Sequence, residues 1–227
     1  MNYFLTSWLV FSLTFPFVSF ANTANPPRKK VLFFGDSITE GAVYPNGYIA
    51  LLADSLAKNG KKDDFELLGA GVSGNKIYDL YLRLEDDVLA KKPDVVVIFI
   101  GINDVWHRAW GTGTDADKFI KFYAAIIKKL QLISAKVILC TPTVIGERTD
   151  FSNQMDGDLN FFAQQIRNLA AQNKLPLCDL RKAFLDYNLA NNPTNQESNI
   201  LTSDRVHLNQ KGNLLVANAL YPMLFGE

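Results

Sequence analysis

Ser37, Asn103, Asp204 and His207 are the residues whose types and spacing could do chemistry together. Ser37 follows Val31-Leu32-Phe33-Phe34-Gly35-Asp36, an apolar run broken by a glycine. A serine hydroxyl is a weak nucleophile until a base takes its proton. His207 is one of two histidines in the chain, and Asp204 lies three residues before it. Residues at i and i+3 on a turn can meet on one side. A carboxylate on one imidazole nitrogen would fix the tautomer and leave the other nitrogen free to deprotonate a serine. Asn103 closes a second apolar run, in Ile100-Gly101-Ile102-Asn103-Asp104, and its amide could donate to developing negative charge. Each residue alone also has a plainer reading: a turn serine, a surface Asp–His pair, a turn asparagine. Their joint placement depends on the elements that carry them.

Those elements alternate. Val31–Phe34, Phe65–Leu68, Val95–Ile100, Val137–Cys140 and Leu175–Cys178 are strand-length apolar runs. The third is an unbroken β-branched stretch that fits a central parallel strand covered on both faces. Helical periodicity follows Tyr48 up to Gly60, spans Ile77 to Val88 as one helix, and recurs over about Asp117 to Leu132 and about Asp156 to Ala171. A last helix from near Gln210 presents Leu214, Leu215, Ala217, Ala219 and Leu220. Asn191 to Asn199 reads as exposed loop. Alternation of this kind predicts an α/β fold, a three-layer α/β/α domain with a five-stranded parallel, flavodoxin-like sheet. Ser37, the glycine-rich Gly69–Asn75 and Asn103 then share the carboxyl edge of the sheet, where ligands bind in open α/β folds. Gly69-x-Gly71-x-x-Gly74 imitates a dinucleotide fingerprint, but it follows the second strand instead of the first, and the next strand ends without an acid.

Gly35-Asp36-Ser37-Ile38-Thr39, Gly71 in its glycine-rich turn, Gly101-Ile102-Asn103-Asp104 and Asp204-Arg205-Val206-His207 together resemble the four blocks of the SGNH (GDSL) hydrolase superfamily, in order and spacing. The resemblance implies Ser37 as nucleophile, His207 as base and Asp204 as its orienting acid. It implies an oxyanion hole from the Ser37 and Gly71 N–H groups and the Asn103 side chain, with no metal and no cofactor. Gly-x-Ser-x-Gly is absent around Ser37, so the α/β-hydrolase nucleophile elbow does not fit. The expected activity is hydrolysis of small acyl esters, with O-acetyl groups of carbohydrates favoured. A lysophospholipase or lipid acylhydrolase is the alternative, and a non-catalytic carbohydrate- or lipid-binding domain a further one. Trp106, His107 and Trp110, in the loop after Asn103, are candidates for the substrate side, together with Asp36, whose other role is to brace the serine turn. Arg148 and Asp150 are weaker candidates for the edge of the cleft.

Lys plus Arg and Asp plus Glu both number 23, and the basic pairs are scattered, which argues against nucleic acid as a partner. Residues 1–21 lack Lys, Arg, Asp and Glu and end Val18-Ser19-Phe20-Ala21, the pattern of a signal peptide cleaved after Ala21. Residues 22–30 then form a linker and residues 31–227 the hydrolase domain, exported to a periplasmic or extracellular space without stable membrane insertion. An uncleaved anchor is the alternative, because no basic residue precedes the apolar run. Cys140 and Cys178 read as buried thiols, with a disulfide open to them after export. The partner is a small-molecule or glycan ester; the oligomeric state stays open.

Overall fold

The computed structural model describes Met1 and residues 27–226, so the expected signal segment and its cleavage site lie outside the described residues. The chain runs β1 (Lys29–Gly35), α1 (Ser37–Gly41), α2 (Tyr48–Lys58), β2 (Phe65–Gly71), α3 (Ile77–Leu82), α4 (Leu84–Asp87), β3 (Val95–Phe99), α5 (Ile102–Trp106), α6 (Ala116–Leu132), β4 (Lys136–Cys140), α7 (Asp156–Asn173), β5 (Leu177–Cys178), α8 (Leu180–Asn191) and α9 (Gln210–Phe225). The five strands pair in parallel in the order β2-β1-β3-β4-β5. This is the expected doubly wound sheet, with the order reversing beside β1. The strand begins at Lys29, so the last residues of the 22–30 segment are already sheet.

Burial explains the apolar runs. Val31 to Phe34 and Val96 to Ile98 are fully buried, each strand being covered on both faces by helices. Enclosing a Leu, Ile or Phe side chain this way contributes about 1.5–3 kcal/mol. α6 turns Phe119, Tyr123, Ile126, Ile127 and Leu130 inward. Phe122 is only partly buried and packs on Tyr81, with ring centroids 5.4 Å apart. On α9 the buried set is Gly212, Val216, Ala217, Leu220, Leu224 and Phe225, and Leu214 is exposed, so the helix is rotated from its expected face.

Three stretches depart from the sequence expectation. The single helix over Ile77 to Val88 is instead α3, α4 and a 3₁₀ turn at Leu89–Lys91, broken at Arg83. Arg83 leaves helical geometry because its guanidinium turns back to the sheet, donating to Gly35 O at 2.8 Å and Ala70 O at 3.0 Å. α8 was not anticipated, although its Asp179 cap accepts from Lys182 N–H at 3.3 Å, an ordinary N-terminal signal. Asn191 to Asn199 is not simple exposed loop: Asn192 is buried and its amide donates to Glu147 O and Gln196 O. Cys140 and Cys178 face each other in register across β4 and β5 as free, buried thiols, and burial with the neighbouring sulfur pushes Cys140 well above the ordinary thiol range. Among the described residues no helix is long and apolar enough to cross a membrane.

Candidate active site

β1 ends at Gly35, and the chain turns at once into α1, whose first residue is Ser37. Asp36 makes the turn: its carboxylate accepts from Ile38 N–H at 3.0 Å, the side-chain cap that a helix start needs. The first N–H of a helix has no intrahelical acceptor, which leaves that of Ser37 free for a ligand. Gly35 pairs in register with Gly71. A Cβ on Gly71 would lie 2.0 Å from Glu40 N and 2.7 Å from Asp36 O, so only glycine lets the end of β2 close against the serine turn. Gly71 is therefore required by close approach. The positive φ of the glycine-rich segment belongs to Gly74, at 77°.

On the other side of β1, Gly101 at φ 125° turns the end of β3 into α5 and places Asn103 on its first turn. One amide N–H of Asn103 donates to Asn75 O at 3.1 Å, which orients the group and leaves its second N–H unused by that bond. The neighbouring Asp104 accepts from Ile77 N–H at 3.1 Å. The Gly71–Asn75 turn is held from α1 as well, where Glu40 accepts from Ser73 N–H at 2.8 Å and from the Ser73 hydroxyl. Arg83 completes the brace through Asn75 Oδ1 at 2.7 Å, with its guanidinium over the Phe34 ring. Ser37, Gly71 and Asn103 thus converge from three elements that are cross-tied to one another.

His207 arrives on the segment between α8 and α9. Ser37 Oγ lies 3.0 Å from His207 Nε2, and His207 Nδ1 lies 2.7 Å from Asp204 Oδ2. Asp204 Oδ1 also accepts from the N–H groups of Val206 at 3.1 Å and His207 at 2.7 Å. Arg205, between them, sits at φ 84°, a left-handed kink that folds the Asp204–His207 turn on itself. Burial would push the Asp204 carboxyl up, but the hydrogen bonds from His207 and Val206 outweigh it and hold the group below its ordinary value. Asp204 therefore stays an anion and keeps one imidazole nitrogen protonated and the other turned to Ser37.

The segment carrying this turn is fixed by Glu147, a residue that sequence reasoning missed. Its buried carboxylate accepts from Ile200 N–H at 2.9 Å, Leu201 N–H at 2.6 Å and Thr202 N–H at 3.0 Å. Gly146 N–H donates to Arg205 O at 2.9 Å, and Asn209 N–H to Leu201 O at 3.0 Å. Nothing local in Val144-Ile145-Gly146-Glu147 announces a partner more than fifty positions away.

The other candidates divide. Asp36 does not face the substrate side. It is 2% exposed, and burial, with the Asp104 charge adding to it, pushes its carboxyl up to about 7. Asp104 is likewise pushed up to about 7, chiefly by burial. Trp106 does reach the site, edge-on to His207 with ring centroids 6.4 Å apart. Trp106, His107 and Trp110 form one aromatic cluster, with centroids 4.9–5.7 Å apart and Trp110 largely exposed. Burial, then the Lys76 charge, lowers the pKa of His107, which favours the uncharged ring. Arg148 lines a polar cavity with Arg205, whereas Asp150 is engaged by Asn195 and Ser152. Among the described residues no group of three or more His, Cys, Asp or Glu is placed to hold a metal.

A parallel five-stranded sheet carrying a hydrogen-bonded Ser–His–Asp chain at its carboxyl edge defines a serine hydrolase of the SGNH type. The chain belongs to the GDSL-like lipase/acylhydrolase family, which it matches over residues 33–215. It is 31% identical over 209 residues to an acetylxylan esterase of Geobacillus stearothermophilus, covering 84% of this chain and 91% of that one. Among solved structures it is similar to the acetyl xylan esterase AlAXEase, with 59% identity, a TM-score of 0.85, and coverage of 86% of this chain and 100% of the other. A catalytic mutant of the Geobacillus stearothermophilus acetylxylan esterase in which a serine is replaced superposes with a TM-score of 0.77 at 26% identity, over 88% of this chain and 95% of that one. Further catalytic mutants of that enzyme replace an aspartate and a histidine. The protein is a GDSL-type carboxylic ester hydrolase.

Proposed function

We propose that the protein removes O-acetyl groups from xylan-type oligosaccharides by acyl transfer through Ser37. The observation that carries the reaction is the relay from Ser37 Oγ through His207 to Asp204, at 3.0 and 2.7 Å. Ser37 Oγ attacks the acetyl carbonyl carbon as His207 Nε2 takes its proton. The carbonyl oxygen becomes an oxyanion, facing the N–H groups of Ser37 and Gly71 and the free amide N–H of Asn103. Collapse breaks the bond to the sugar oxygen, and His207 returns the proton to that oxygen, releasing the glycan alcohol. Water then attacks the acetyl-serine with His207 again as base, releasing acetate and restoring Ser37.

Likeness to acetylxylan esterases, at 59% identity in one case, supports the acetylated glycan as substrate. So does the space against Ser37 and His207. It is about 130 Å³, lined also by Ile38, Gly41, Leu208 and Asn213. At about 30 Å³ per water, that is room for roughly four small groups and suits an acetyl better than a long acyl chain. The amino-terminal segment supports action outside the cytoplasm, as an exported enzyme. The test is acetate release from acetylated xylo-oligosaccharides, followed by NMR, beside p-nitrophenyl esters from acetate to palmitate. Acetate release with activity confined to acetate and butyrate is expected. Efficient octanoate cleavage without glycan deacetylation would contradict it and favour a lipid acylhydrolase.

A further inference from the structure

The loop between β4 and α7 and the segment from Glu197 to Arg205 line a second cavity, of about 280 Å³, with Arg148, Gln154, Glu197 and Arg205 in its walls. It adjoins the catalytic turn, because Arg205 lies between Asp204 and His207. Two residues of chain separate the Cα atoms of Arg205 and His207 by at most ~7 Å. The walls are built from planar polar groups in a fixed arrangement. Glu197 is shared by the two guanidiniums, at 3.0 Å to Arg205 and 3.4 Å to Arg148. The backbone beneath is tied down as well: Glu147 N–H donates to Glu197 O, and Asn153 brackets Arg148 through its N–H and C=O.

This chemistry selects a polyol. Guanidinium and carboxamide edges offer paired donors, and carboxylate and carboxamide oxygens offer acceptors, at the spacing of vicinal hydroxyls. Both guanidiniums are turned onto the one carboxylate of Glu197, and the walls keep a net charge of +1. At about 30 Å³ per water, the volume holds roughly nine non-hydrogen atoms, the scale of one sugar ring. Phe151 directly precedes the cavity residue Ser152 in the chain. It is 96% exposed and held at φ 66°, a conformation that a bulky residue adopts at a cost. An aromatic face presented this way, beside planar hydrogen-bonding groups, can stack on the C–H face of a pyranose.

On the reading that the ester is borne by a carbohydrate, we infer that this cavity is a subsite for a sugar ring next to the acetylated one, bound by Arg148, Arg205, Glu197 and Gln154 with Phe151 as its platform. The enzyme then favours oligosaccharides over monosaccharide esters.

The test compares kcat/KM for acetylated xylotriose, acetylated methyl xyloside and p-nitrophenyl acetate in wild type, Arg148→Ala and Phe151→Ala. Both side chains are solvent-facing, so the variants fold. Wild type is expected to prefer the xylotriose ester to the xyloside ester. Each variant should lose that preference by about tenfold relative to p-nitrophenyl acetate, mostly through KM, as loss of charged hydrogen bonds or stacking requires. Ratios equal to wild type in both variants would overturn the subsite and leave the esterase reading intact. A wild type that cleaves p-nitrophenyl acetate but neither acetylated glycan would overturn the carbohydrate reading and the subsite with it.

Discussion

Glu147→Gln isolates the support of the catalytic turn from the turn itself. In the native protein one carboxylate oxygen accepts from Leu201 and Thr202 N–H groups at 2.6 and 3.0 Å, and the other from Ile200 N–H at 2.9 Å. Glutamine has one acceptor oxygen. If it stays with Leu201 and Thr202, its NH₂ meets the Ile200 N–H donor to donor, and one charge-assisted bond becomes an unsatisfied buried pair. The net worth of a hydrogen bond to a charged group is about 1.5–3 kcal/mol, so the variant should lose about 3 kcal/mol. Against the usual stability of about 5–15 kcal/mol it still folds. At about 2–4 °C per kcal/mol for a chain of this size, Tm should drop by about 6–12 °C. The functional loss is larger than stability alone would give. The Ile200–Thr202 anchor lies just before Asp204, and a misplacement of about 1 Å in a reacting group costs on the order of 10²-fold. Turnover of p-nitrophenyl acetate, measured well below the lowered Tm, should fall roughly 10- to 100-fold in kcat with KM little changed. Leu130→Ala is the control. It removes a fully buried side chain on α6, remote from the site, at a similar cost of about 2–5 kcal/mol. Its kcat should stay near wild type. If Glu147→Gln lowers Tm as expected but keeps kcat within twofold of wild type, the carboxylate does not position the Asp204–His207 turn.

Asp36→Asn tests the buried acid behind the nucleophile. Its carboxyl rises from 3.8 to about 7, so the native protein keeps a proton that the unfolded chain has released. That contributes stability fully present below about pH 4 and lost as pH rises through about 7, at most about 4 kcal/mol at 1.36 kcal/mol per unit. Asparagine keeps the cap to Ile38 and cannot titrate, so urea unfolding from pH 4 to 8 should show a shallower decline than wild type, part remaining from Asp104; identical slopes would refute the burial effect. Asn103→Ala should cost about 10²–10³ in kcat with little change in KM, and a loss below tenfold would remove its amide from the oxyanion site.

The sequence showed the chemistry more completely than its supports, for a physical reason. Ser37, Asn103 and the Asp204–His207 pair sit directly after strands or before a helix, so local patterning places them at one sheet edge. Helix α8 also carries a readable cap in Asp179. Arg83 and Glu147 are different: each acts through carbonyl or N–H groups distant in sequence, and no local period marks such a pairing. The break between α3 and α4 follows from Arg83 reaching the strand ends, so helical spacing alone could not locate it. Of the two roles open to Asp36, bracing the serine turn is the one the structure shows, through its cap to Ile38 N–H.

The most direct measurement is covalent trapping. Wild-type protein treated with diethyl p-nitrophenyl phosphate should gain one diethylphosphoryl group by intact mass, lose esterase activity in parallel, and carry the adduct on the peptide containing Ser37. Ser37→Ala should fold, gain no adduct and release no acetate from acetylated xylo-oligosaccharides. An adduct on another residue, or acetate release retained by Ser37→Ala, would contradict Ser37 as the nucleophile.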